Sequence, residues 1–330
     1  MATELVSATT RAGHLLPVID VTAPRFAVPD DPQSLRALID ASAKEESRRR
    51  GVPQFIMRLM LKSLTKRSLL AKALFAADAT FLDGLSTYVM KLGPDNLPPP
   101  YDSPVDRKFA ASPHLILLRL RTQQTARLLA DGLSADLAGA PNAPLHLINI
   151  AGGPAVDSLN ALILLHRSQP RLLQRPIAIH VFDGDETGPF FGGNALAAMM
   201  QGGRPLAGLD IRFNHYSYDW NQPASLSQQL GAIAGPDSIV AASSEGGLFE
   251  YGSDAAIVEN LRALLAGGVR LVAGSVTKDD EARRRMNTVT RFKLMPRGLH
   301  GFAPLAERGG FAIATAEPAH FSDQVALRPL

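Results

Sequence analysis

The sequence predicts an α/β protein: a doubly wound, mostly parallel sheet with an antiparallel C-terminal strand, preceded by an N-terminal helical region. Three observations carry this. Residues 145–158, LHLINIAGGPAVDS, pass from an apolar run through a glycine pair into a helix. A short apolar run bounded by a glycine turn reads as a buried parallel strand. From there to about residue 276 apolar runs alternate with helical stretches, which is the pattern of a parallel sheet. The chain then closes with a helix and two strands close in sequence, a pair suited to a hairpin at one sheet edge.

Residues 1–32 hold Pro, Thr and Asp with no sustained period and read as an extended arm. From Gln33 to about Leu137 the pattern is helical. Ile56, Leu59, Met60 and Leu64 recur at helical spacing, as do Ala126, Leu129, Ala130 and Leu133. Phe55, Met57, Met60, Phe75, Phe81, Tyr88 and Met90 form an apolar set for a lid, a dimer interface or an ordinary helical core. Residues 93–106 are a proline-rich loop, and 138–144, AGAPNAP, mark a boundary. The expected division is therefore 1–140, helical, and 141–330, sheet-forming.

Within the second part the expected strands are 146–151, 177–183, 210–216, 237–243 and 269–276. Helices are expected at Asn194–Met200, Ser225–Ala234 and Ala255–Leu265.

Of the 330 residues 46% are hydrophobic and 20% charged, as in a globular protein with a sizeable core. The absence of cysteine excludes disulfides, thiolate metal sites and a cysteine nucleophile. No apolar run reaches the roughly 20 residues of a membrane span, and the N-terminus lacks a basic start followed by an apolar core. The expected location is the cytoplasm, with no membrane partner. A net charge of +3 is small, and basic residues are dispersed or neighbour acids, as Arg48–Arg50 neighbour Glu45 and Glu46. No nucleic-acid partner is expected.

The glycine turn narrows the ligand. Phosphate cradles present free backbone N–H groups at a helix start, often with a lysine. Here Pro154 removes one donor and Asp157 places a carboxylate in the first helical turn, which favours the helix dipole and repels a pyrophosphate. A nucleoside without phosphates fits better.

Five alternating strand–helix units with a glycine loop after the first strand, then helix–strand–strand, resemble the class I S-adenosylmethionine-dependent methyltransferases, whose sheet is Rossmann-like. The resemblance covers about residues 140–330. The family's first motif, acid-x-Gly-x-Gly-x-Gly, is matched by Asn149-Ile-Ala151-Gly152-Gly153-Pro-Ala155, with asparagine for the acid and alanine at two glycine positions. The resemblance implies S-adenosylmethionine as cofactor, with Asn149, Ala151, Gly152 and Gly153 near its methionine end. It implies Asp183, or Asp185 behind it, as the ribose ligand, since two hydroxyl donors converge on two carboxylate oxygens. Asp219 would hold the adenine amino group, with Trp220 beside it and Ser243 completing the set. Blander roles compete: a turn for the glycines, a helix cap for Asp183, a turn for Asp219 and packing for Trp220.

The base for an acceptor hydroxyl or amine is expected in the loop after the fourth strand, from Glu245 or Glu250, with His300 as a further candidate. Capping or surface placement is the alternative for Glu250. His215 and Tyr216 end the third strand, where an acceptor would lie, and for His215 and His300 the competing role is structural. The eight histidines show no paired metal spacing, so no metal is expected, and no GxSxG elbow occurs. The expected activity is methyl transfer to a small organic acceptor, at oxygen, by a homodimer. The alternatives are an NAD(P)-dependent oxidoreductase, a methyltransferase-like binding protein without turnover, and another reaction of the same sulfonium.

Overall fold

A computed structural model of the protein describes residues 5–50, 52, 54–74, 83–281, 283, 284 and 293–330. Two strands, β1 (Ser7–Thr9) and β2 (Leu15–Pro17), pair antiparallel. Residues 5–31 are thus an arm built on a small hairpin. It is fastened down: Leu16, Val18, Ile19 and Phe26 are buried, and Asn194 donates to Thr9 O at 2.8 Å.

Six α-helices follow among the described residues: α1 (Pro32–Arg50), α2 (Gln54–Arg67), α3 (Leu69–Leu74), α4 (Gly84–Met90), α5 (Pro104–Ala110) and α6 (Pro113–Gly139). Asp83 caps α4, accepting the Ser86 N–H at 2.7 Å. The apolar spacing on α2 does form a helix, but it does not turn these residues inward: Leu59 and Met60 are 69% and 59% exposed. Tyr88 and Met90 are buried. Phe75 and Phe81, and the side chains of Phe55 and Met57, lie outside the described residues.

The remaining elements are β3 (Leu145–Ile150), α7 (Val156–Ser168), β4 (Ile177–Phe182), α8 (Thr187–Met199), β5 (Ile211–Tyr216), α9 (Ala224–Ile233), β6 (Ile239–Ser244), α10 (Leu248–Tyr251), α11 (Asp254–Ala266), β7 (Val269–Thr277), α12 (Gly298–Arg308), β8 (Phe311–Pro318) and β9 (Ser322–Pro329). Their sheet runs β5-β4-β3-β6-β7-β9-β8. The first five strands are parallel, and β9 enters antiparallel between β7 and β8.

Each expected strand is present within two residues of its expected bounds. The helix after β4 starts earlier than expected, at Thr187, because Pro189 sits in the first turn where its missing N–H costs nothing.

One sheet face packs against α6, α7, α8 and the N-terminal arm, the other against α9, α11 and α12. Both faces are covered at the centre of the sheet, so β3, β4, β6 and β7 are buried along almost their whole length, unlike the edge strands β5 and β8. The order reverses between β3 and β6, which leaves a crevice beyond their carboxyl ends.

Candidate functional site

Beyond β3 the chain turns through Ala151–Ala155 with positive φ at three alternate residues: Ala151 (53°), Gly153 (53°) and Ala155 (54°). These are the three glycine positions of the motif. The left-handed conformation explains the preference for glycine there, and an alanine bears about 1–2 kcal/mol of strain in it. Gly153 is hemmed in by two helices. A Cβ on Gly84 of α4 or Gly188 of α8 would stand 2.6 Å or 2.8 Å from Gly153 Cα.

The loop is held from β4. Gly153 N–H donates to Asp183 Oδ2 at 2.9 Å, and Asp185 N–H donates to Oδ1 at 2.9 Å. Burial pushes the Asp183 carboxyl above its ordinary pKa against the pull of these two N–H groups. Each oxygen keeps a further acceptor position. Asp185 accepts from the backbone of Thr187 and Gly188 at 3.1 Å each, so it caps α8. Asp219 organises the turn after β5, accepting the Asn221 N–H at 2.9 Å.

These loops open on a cavity of about 390 Å³ beyond the strand ends, within the range of small-ligand pockets. The sheet side is Ala151, Gly152, Asp183, Asp185 and Glu245; Tyr218, Asp219 and Trp220 form one end. The roof is α4 and its flanks, through Asp83, Thr87, Tyr88 and Lys91. Sequence reasoning gives α4 an apolar lid role and misses Asp83 and Lys91. A signal exists: Lys91 is the lone charge in the run TYVMKLG.

At the inner wall Lys91 donates to Glu245, which also accepts from Arg121 of α6. Arg121 donates in turn to both Glu250 oxygens at 3.0 Å. All four charged side chains are buried or nearly so. Burial alone would raise the Glu245 pKa, but Arg121 and Lys91 outweigh it and hold the group below its ordinary value.

The other expected site residues are dispersed. Asn149 is fully buried beneath the loop, where it donates to Asp157 Oδ1 at 2.8 Å and Ser243 Oγ at 3.1 Å. Neither Asn149 nor Ser243 is among the residues lining the cavity, and neither is Glu250. Glu250 is buried and accepts from Thr277 Oγ1 at 3.1 Å. His300 is exposed on α12. His215 donates from Nε2 to Asp183 O at 2.9 Å, which braces the β4 loop. Among the described residues no cluster of histidine and carboxylate groups could hold a metal ion, and no helix is long and apolar enough to cross a membrane.

No protein-family model and no curated protein matches the sequence. Among solved structures, one described as a possible exported protein from Bordetella parapertussis is 15% identical, with a TM-score of 0.56 over 91% of this chain and 99% of that one. The shared fold therefore extends through the helical region. The O-methyltransferase NcsB1 of neocarzinostatin biosynthesis, solved with S-adenosyl-L-homocysteine and 1,4-dihydroxy-2-naphthoic acid, is 17% identical with a TM-score of 0.38, over 70% of this chain and 62% of that one. The calicheamicin-biosynthesis methyltransferase CalO1, solved with S-adenosylhomocysteine bound, is 15% identical with a TM-score of 0.35, over 98% and 80%. The strand order and the reversed β9 give the class I methyltransferase fold that the sequence resemblance implied.

Proposed function

We propose that the protein is an S-adenosylmethionine-dependent methyltransferase acting on a small organic acceptor at oxygen. The observation that carries the cofactor is the charge of the cavity: Asp83, Asp183, Asp185, Asp219 and Glu245 line it against Lys91 alone. Such a wall attracts a sulfonium cation and repels a pyrophosphate, which argues against NAD(P).

The residues fit the cofactor. Asp183 has the free acceptor positions a ribose diol needs, and Ala151 and Gly152 bring small residues and close backbone to the wall. Asp219 and Trp220 provide an acceptor and a flat face for adenine. The cofactor supplies an electrophilic methyl group when bound. The protein's part is to align the acceptor, exclude water and receive little charge, because positioning supplies much of the rate of such a displacement.

Glu245, held ionised by its two cations, is a weak base. An acceptor whose hydroxyl is already acidic, such as a phenol, therefore suits the site best. S-adenosylmethionine is made inside cells, which supports a cytoplasmic location.

Calorimetry tests the reading. S-adenosylhomocysteine should bind and NAD should give no heat. Asp183→Ala should weaken the first by about 10- to 100-fold, the worth of one or two hydrogen bonds to a charged group. Binding of NAD alone would overturn the proposal.

A further inference from the structure

The class I resemblance assigns the acid of the first motif to the methionine end, yet Asn149 at that position is fully buried, donates its amide N–H groups to Asp157 and Ser243, and does not line the cavity. The cavity has other charges at the corresponding end. Glu245 follows β6 directly, and Lys91 reaches in from just beyond α4, 154 residues away. Their side chains are only 4% and 6% exposed. A buried ion pair in a cavity wall contributes little net stability, since desolvation offsets much of its attraction.

Neither partner is saturated. The Lys91 ammonium has three donors, and among the described residues Glu245 is its hydrogen-bond partner. Glu245 accepts from Lys91 through Oε2 and from Arg121 through Oε1, and each oxygen has a second lone-pair position. The pair therefore presents one positive and one negative group side by side, which is the complement of an α-amino-acid zwitterion.

The placement agrees. Asp219 and Trp220 follow β5, Asp183 follows β4, Ala151 and Gly152 follow β3 and Glu245 follows β6, and these strands are consecutive in the sheet. Three strand spacings separate the ends, about 14 Å at roughly 4.8 Å each. An adenosine joined through sulfur to an amino acid is an extended molecule with a neutral aromatic end and a zwitterionic end.

Resting on the cofactor reading above, we propose that Lys91 and Glu245 form the amino-acid clamp of this site, with Lys91 taking the carboxylate and Glu245 the ammonium. The clamp replaces the first-motif acid that Asn149 does not provide. It also makes the helical region part of the cofactor site as well as its cover.

The test compares ligands on the intact wild-type chain by calorimetry: S-adenosylhomocysteine, its decarboxylated analogue and 5′-methylthioadenosine, which lacks the amino acid altogether. The clamp requires affinity to fall by about 10-fold or more on losing the carboxylate, and further on losing the ammonium as well. Equal affinity for all three would overturn the clamp and leave the nucleoside reading standing. Silence with all three would remove both.

The variant Lys91→Met/Glu245→Gln discharges the pair on both sides, which limits the damage to folding. It should lose S-adenosylhomocysteine affinity while binding methylthioadenosine within about 3-fold of wild type. An equal loss for both ligands would assign the pair a structural role and refute the clamp.

Discussion

Gly84, at the start of α4, and Gly153, in the loop after β3, stand back to back. A Cβ on Gly84 would lie 2.6 Å from Gly153 Cα, and one on Gly153 would lie 2.7 Å from Gly84 Cα. The roof of the cavity is thus seated directly on the loop that forms its floor, backbone against backbone. Gly84→Ala cannot be absorbed by rotating a side chain, so α4 or the loop must shift. Overpacking of this kind costs about 1–3 kcal/mol. The expected result is a lowered Tm together with at least a 10-fold loss of S-adenosylhomocysteine affinity. Unchanged affinity in a stably folded variant would show that the seating of α4 does not shape the site.

Ala151 bears the opposite mismatch, a side chain where the backbone wants none. Its φ of 53° is strained for alanine. Ala151→Gly removes that strain but adds freedom to the unfolded chain. The balance should stabilise the protein by about 0.5–1 kcal/mol in urea unfolding. A loss of stability would mean that the Ala151 methyl, which packs beside Gly247, is worth more than the strain it carries.

The contrast between these glycines and the ion pairs shows what the sequence can express. The floor of the site is local: strand, turn and helix follow one another within residues 145–168, and periodicity and glycine placement report them. Asp183 was legible because it ends a strand whose neighbour could be anticipated. Lys91 and Arg121 were not, because each lies in an apolar helical run and finds its carboxylates more than a hundred residues away. The only local trace is a charge among apolar neighbours, in TYVMKLG and in HLILLRLRTQQ. The stripe on α2 shows the converse limit. Helical spacing tells which residues share a face, and Leu59 and Met60 show that it does not tell whether the face is covered.

Arg121 is shared between Glu245 and Glu250, so its loss takes a cation from both carboxylates at once. Arg121→Met should destabilise the fold by about 3–5 kcal/mol at neutral pH, the usual consequence of removing one side of a buried ion pair. The sign of the pH dependence follows from Glu245, whose folded pKa lies below its ordinary 4.5. Its contribution is present above that ordinary value and is lost as pH falls through the folded value. The penalty for Arg121→Met should therefore shrink in acid. A penalty that stayed constant down the acid limb would place the loss in packing rather than in charge.

His180 controls a second acid transition, away from the cavity. It lies on β4 with Nε2 3.1 Å from His146 Nδ1 on β3, and the Tyr216 hydroxyl is 3.4 Å from its Nδ1. Burial and the neighbouring His146 push its pKa down from 6.5 to about 4. Between these values the unfolded chain takes up a proton that the folded protein refuses, so stability falls as pH falls. The full effect is roughly 3 kcal/mol, since each tenfold loss of proton affinity is worth about 1.4 kcal/mol. His146 is lowered by burial as well and adds to the same limb. His180→Gln keeps a hydrogen-bonding side chain but cannot titrate. Its urea-unfolding free energy should change much less between pH 6.5 and pH 4 than that of the wild type. If the two profiles ran parallel, the acid sensitivity would belong to the carboxylates rather than to this pair of histidines.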